Sequence, residues 1–235
     1  MNAFASATRV EGCLPPRWFR QFNGDFRLFG RICAAGPGNY QSMPAAERLR
    51  SIRIAGEPVV EIDIRASLLT FLHGVLRLPL PEGDLYALPG IPREVVKVWI
   101  NATLGKGTPV ENWSKDSLRA SPELHDHPAP VVMAAALARY PFLADAWRLA
   151  EDFLHRVAEG LHHAHPRRVL IHMLMGVESD VILDTLQALR AEGILGLPMH
   201  DGVIVPASAE ARACELLRQA AEREVGVELG LKVDR

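Results

Sequence analysis

Two aspartates carry the most chemistry per residue in this sequence. Asp63 stands inside the apolar run Val59-Val60-Glu61-Ile62-Asp63-Ile64, and Asp201 stands between His200 and Gly202. Each alone has a plain explanation. Asp63 fits a strand with one solvated face, and Asp-Gly is ordinary turn chemistry. Together, one at a strand end and one at the tip of an adjacent hairpin, they can hold two divalent cations about 3.5–4 Å apart. Magnesium takes hard oxygen ligands and keeps phosphate oxygens in its shell. Such a site serves phosphoryl transfer, the chemistry of nucleases and polymerases alike. Arg93 and Lys97 are a second feature. Four residues apart, they share one helix face and repel by about a few tenths of a kcal/mol. A triphosphate between them reverses that sign; a solvated basic stripe is the equal alternative. His125-Asp126-His127 and His162-His163-His165 leave a histidine-based metallohydrolase open, although no HExxH spacing is present.

The elements that must position these groups follow from pattern. Residues 1–50 read as irregular, punctuated by Pro15-Pro16, Gly36-Pro37-Gly38 and Pro44. Ser51–Ile54 and Pro58–Ile64 read as strands around Ala55-Gly56-Glu57, with Glu61 and Asp63 on one face and Val60, Ile62 and Ile64 on the other. Helices are expected over Ala66–Arg77 and over about 92–104, where Trp99 fits either a core position or a base-stacking one. Residues 105–130 are polar and turn-rich and read as a mobile loop. From 131 to 192 the pattern is helical, broken at Pro141 and Pro166 and stopped by Gly193. Glu178 and Asp180 fall on the last of these helices, as exposed or capping acids, with a third metal-site acid as the sharper reading. Ile194–Met199 and Val203–Val205 flank His200-Asp201-Gly202 as a hairpin, and a final helix covers about 209–224. That order describes an α+β fold with an antiparallel sheet.

Composition narrows the class. The 235 residues are 49% hydrophobic and 23% charged, which excludes wholesale disorder. The formal net charge is -2, which excludes a uniformly basic nucleic-acid binder. Charge is uneven, however. Residues 1–53 hold eight arginines against Glu11, Asp25 and Glu47, so that segment is +5 and the remainder -7. An anion-binding surface is one reading of it, a solvated face the other. Three scattered cysteines and no CxxC argue against a disulfide framework or a zinc ribbon. No uncharged apolar stretch reaches about 18 residues, so a soluble, cytoplasmic protein is expected.

Four segments, in order, resemble the polymerase domain of family A DNA polymerases and the related single-subunit phage-type RNA polymerases. Gly30-Arg31-Ile32-Cys33 with Pro37–Pro44 is similar to the segment that holds the primer–template duplex, with Arg31 and Gln41 at its polar positions. Val59–Ser67 is similar to motif A, whose aspartate, here Asp63, is a metal ligand. Asp84-Leu85-Tyr86 with Arg93, Lys97 and Gly105 is similar to the fingers segment ending in motif B. Met175–Ile182 followed by Met199-His200-Asp201-Gly202 is similar to the palm helix and motif C. The segments "GEPVVEID" and "HDGVIVP" also resemble a compact set of phage- and mobile-element-like palm proteins.

The resemblance implies a right-hand palm with an antiparallel sheet, reduced helical fingers and no or minimal thumb. Residues 1–83 would form a nucleic-acid-contact segment and half the palm, 84–165 the reduced fingers, and 166–235 the other half of the palm. It implies primer extension by two-metal catalysis with Mg²⁺ or Mn²⁺ at Asp63 and Asp201, and Lys97 completing the catalytic set. Arg93, Lys97 and Asn101 would bind the nucleotide, and Arg31, Gln41 and His200 the nucleic acid. Partners would be a primer–template, nucleoside triphosphates and a protein standing in for the thumb. The chain departs from the pattern at Leu68, where the family has a ribose-excluding glutamate, at Asn101, where it has an aromatic, and at Gly202, where an acid is usual. RNA synthesis by a polymerase or primase of the same fold, and a catalytically silent nucleic-acid-binding palm, therefore stay open.

Overall fold

The computed structural model describes residues 2–157 and 166–235. The chain forms two compact units, one from residues 1–80 and 175–235, the other from residues 81–174. His162, His163 and His165 lie outside the described residues.

The first unit is built on an antiparallel sheet. Its strands are β1 (Val10–Glu11), β4 (Arg53–Ile54), β5 (Glu57–Ile64), β6 (Leu197–Met199), β7 (Gly202–Pro206) and β8 (Leu231–Asp234), ordered β1-β4-β5-β7-β6 with β8 on β5. The β4–β5 turn closes with Ala55 and Gly56 both at positive φ. β5 is the hub. It pairs β7 with Ile62 opposite Val203 and Asp63 opposite Gly202, and its other edge pairs β8 with Asp63 opposite Lys232. One face of β5 packs Val60, Ile62 and Ile64 into a core shared with Leu69 and Phe71 of α3 (Ser67–Leu76) and Leu217 of α9 (Glu210–Val225). Each such side chain contributes about 1.5–3 kcal/mol of burial.

Residues 1–50 are more ordered than their proline and glycine content suggests. They contain a short helix α1 (Asn2–Ala7), a hairpin of β2 (Trp18–Phe22) and β3 (Phe29–Ala34), and a helix α2 (Ala45–Ser51). The hairpin forms because both strands alternate inward and outward positions, as Trp18 opposite Ala34 and Arg20 opposite Ile32. It lies against the C-terminal part of α8 (Pro166–Ala191). Gly176 permits that approach, since a Cβ there would lie 2.1 Å from the Arg27 carbonyl oxygen. Arg20 bonds Asp180 at 2.8 Å, and the Ser179 hydroxyl donates to the Gly30 carbonyl.

The second unit is helical. It holds α4 (Arg93–Lys106), α5 (Lys115–Ala120), α6 (Ala129–Arg139), α7 (Arg148–Val157) and the start of α8. α4 begins after Pro92 and stops at Gly107, whose φ is 74°. Trp99 takes the core position; it is fully buried and its indole N–H donates to the Val110 carbonyl at 2.8 Å. The polar stretch 105–130, expected as a loop, contains α5 and a 3-10 turn over Pro122–Asp126. Ser114 caps α5 by accepting from the Ser117 N–H, a local signal that outweighs the polarity of the stretch. His125 and His127 sit in and just after that 3-10 turn. Among the described residues no helix is long and apolar enough to cross a membrane.

Candidate active site

Strand pairing brings the two aspartates together. Asp63 lies on β5 directly across from Gly202, so Asp201 is one residue from direct opposition. His200 and Asp201 are the two-residue turn between β6 and β7, and the Ile64 N–H donates to the Asp201 carbonyl at 3.1 Å. His200 takes a left-handed φ of 49° and is exposed in that turn. Gly202 is required by crowding. A Cβ there would meet the Ile62 carbonyl oxygen at 2.4 Å and Asp63 Oδ1 at 2.6 Å. Any side chain at this position would therefore require the β5–β7 pair to shift.

The carboxylates repel. Burial, and then the charges of Glu61, Asp201 and Asp234, raise Asp63 to about 6, and Lys232 across the strand pair pulls the other way. Lys232 in turn bonds Asp234 at 2.6 Å. The donor set fits a hard divalent cation: the oxygens are carboxylate, and their mutual repulsion is the term such a cation reverses. No group of three or more His, Cys, Asp or Glu among the described residues, at this site or elsewhere, is arranged to hold a metal ion.

A second layer surrounds the pair. Glu178 of α8 is fully buried, which corrects the expectation of an exposed or capping acid. Its periodic position on α8 conceals this, because its partners come from distant segments. Glu178 Oε1 accepts from Arg31 at 2.7 and 3.1 Å, and its Oε2 accepts from the Ser67 hydroxyl at 2.9 Å. Ser67 Oγ is also 3.3 Å from Asp201 Oδ2. Burial and Asp201 push the Glu178 carboxyl up, while Arg31 and Ser67 pull it down. Glu61, beside Asp63 on the strand face, is taken up by Arg48 in a buried pair. Gln41 serves as a clamp: its carbonyl accepts from the Ala34 N–H, and its amide donates to the carbonyls of Ile32 and Pro198.

The arginine-rich first segment is largely engaged internally. Arg20, Arg31 and Arg48 neutralise Asp180, Glu178 and Glu61, all from outside the segment. Arg9 and Arg27 pair with Glu11 and Asp25. Arg17 and Arg50 are exposed.

Arg93, Lys97 and Asn101 belong to the second unit, on α4. Arg93 bonds Asp84 at 2.6 Å and Glu94 at 2.7 Å, and stacks its guanidinium 5.2 Å from the Tyr86 ring. Lys97 lies 3.6 Å from Glu94. Glu94 therefore already offsets the repulsion expected between the two cations. All three ionic side chains are about half exposed.

The sheet with its crossing helices has solved counterparts. The POL domain of Pol1 from M. smegmatis, in complex with DNA primer-template and dNTP, matches with a TM-score of 0.52 at 15% identity, over 93% of this chain and 47% of the other. The fold is polymerase palm-like. The chain spans about half the length of that structure. No family model matches the sequence, and no curated protein does.

Sequence reasoning missed β8, and with it Lys232 and Asp234. The signal was the alternation of Val227, Leu229, Leu231 and Val233. It also missed Ser67 as a bridging hydroxyl and the Arg48–Glu61 pair, for which no local signal exists.

Proposed function

We propose that this protein is a template-directed nucleotidyltransferase that extends a primer 3′-hydroxyl with nucleoside triphosphates. The observation that carries the reading is the meeting of Asp63, on β5, with Asp201, in the turn that leads into its paired strand β7, on a palm-like sheet. Asp63 and Asp201 would hold two divalent cations, Mg²⁺ or Mn²⁺. When bound, such cations activate the attacking hydroxyl and neutralise charge on the phosphates. The 3′ oxygen would bond the α-phosphorus, the bond to the bridging oxygen would break, pyrophosphate would leave and the hydroxyl proton would pass to solvent. Arg93 and Lys97 would hold the triphosphate, Arg93 as a planar fork and Lys97 as a point charge. A triphosphate must then exchange for Asp84 and Glu94, whose exposure makes that exchange inexpensive. Asn101 would line the nucleotide, and Arg31 and His200 would contact the primer–template.

Extension of a labelled primer on DNA and RNA templates, with deoxy- and ribonucleotides supplied separately, tests the reading. Asp63→Asn and Asp201→Asn are each expected to lower extension by about a hundredfold or more. Undiminished extension in both would refute the metal assignment. Extension with ribonucleotides alone would place the protein among RNA-synthesising relatives, a reading favoured by Leu68 in place of an acid.

A further inference from the structure

We propose that Glu178, acting through Ser67, positions Asp201 for cation binding, with Arg31 as the counter-charge that holds Glu178 in place. The proposal rests on the two-metal reading and adds residues outside it.

The geometry is that of a branched relay. Ser67 is the first residue of α3 and is buried. Its single hydroxyl proton faces two acceptors, Glu178 Oε2 at 2.9 Å and Asp201 Oδ2 at 3.3 Å. Arg31 binds Glu178 only through Oε1, so Oε2 is left for the hydroxyl. The proton is shared: the shorter bond to Glu178 fixes Ser67, and the longer one to Asp201 Oδ2 orients that carboxylate, whose Oδ1 stays available as a ligand. Groups behind a metal ligand orient it in this way, and their loss typically costs about 10–100-fold in metal affinity.

A purely structural role accounts for Glu178 poorly. Burying a carboxylate is costly, and an apolar side chain of similar size would pack at least as well. Nor is the acid needed to tie α8 to the β2–β3 hairpin. Arg20–Asp180, Ser179 to Gly30 and the close approach at Gly176 already do so on neighbouring residues. The strand, meanwhile, has no room for a third acid next to Asp201, because position 202 accepts no Cβ. Glu178 brings its carboxylate toward Asp201 from α8, through Ser67.

The test is Mn²⁺ binding by the intact protein, followed as loss of the free-ion electron paramagnetic resonance signal, beside thermal melting. Ser67→Ala is expected to weaken Mn²⁺ binding about tenfold with a melting temperature near the parent's. Ser67→Thr, which keeps the hydroxyl, should bind within about twofold of the parent, and Glu178→Gln should behave like Ser67→Ala. Parent-like binding by Ser67→Ala overturns the relay even if Glu178→Gln fails to fold. Asp201→Asn separates the two ideas. If it loses binding while Ser67→Ala keeps it, only the relay is wrong. If it binds as the parent does, the metal reading falls and the relay falls with it.

Discussion

The first unit contains two buried arginine–glutamate pairs, and they are built differently. In Arg48–Glu61 both side chains are 6% exposed. The guanidinium reaches both carboxylate oxygens, at 2.6 to 3.0 Å, and its remaining nitrogen donates to the Met43 carbonyl. Every charge is spent inside the pair. In Arg31–Glu178 the acid is sealed but the arginine is 23% exposed, and only one carboxylate oxygen is used. The other oxygen reaches toward Asp201 through Ser67. The same two residue types thus make a closed pair that fastens α2 to β5, and an open pair with water on one side and a candidate metal ligand on the other.

Breaking the closed pair should cost most. Arg48→Met leaves Glu61 buried and uncompensated, and urea unfolding should show a loss of about 3–5 kcal/mol. The double variant Arg48→Met with Glu61→Leu should recover most of it, since well-packed apolar residues replace such pairs with little loss. A double variant as unstable as the single one would mean the pair does more than fill space. Next comes the crowding that keeps a third acid off the strand. Gly202→Ala should destabilise by about 2–3 kcal/mol through the Ile62 and Asp63 contacts. A parent-like denaturant midpoint would show that the strand can give way there. The open pair should be cheaper to break. Arg31→Met should cost about 1–2 kcal/mol, because water reaches the arginine side of the pair. A loss matching that of Arg48→Met would erase the distinction between the two.

The smallest effect concerns Asp63, the neighbour of the carboxylate that the open pair reaches. Asp63 titrates at about 6 in the folded protein against an ordinary 3.8, so the folded state holds its proton longer than the unfolded one. Stability therefore falls as pH rises from about 4 to about 6, and the deficit persists above that. Asp63→Asn removes the deficit. After allowance for solvent screening, the variant should be about 1 kcal/mol more stable near pH 8 and equal to the parent near pH 3. Thermal melts across that range check the sign, and a difference that grows toward acid would contradict it.

What was readable in the sequence follows the range of the interactions. β4, β5, α3, α4, α8, α9 and the β6–β7 hairpin announce themselves by local period, and both aspartates sit on them where a sequence reading places them. The β2–β3 hairpin was hidden because punctuation by proline and glycine outweighed a real alternation. Glu178 was misjudged for a different reason. Helical period assigns it a face, but Arg31 and Ser67 arrive from 147 and 111 residues away, and no local rule reports them. Gln41 shows the same limit, since a polar position in a loop-like stretch turns out to be spent on main-chain carbonyls.

The strand at the centre of the sheet also has a consequence for how the molecule is made. β5 is synthesised early, yet its partners β7 and β8 lie about 140 and 170 residues further along. Closing loops of that length is slow and makes for a high contact order. On the ribosome, residues 81–174 emerge as a continuous stretch with a core of their own, while β5, paired only with β4 at its start, waits with the rest of both edges open. An unpaired apolar strand is an aggregation hazard during that interval. The acids at 61 and 63 interrupt its apolar run, so the charge proposed for chemistry at Asp63 and the one that Arg48 later takes up at Glu61 also guard the nascent chain.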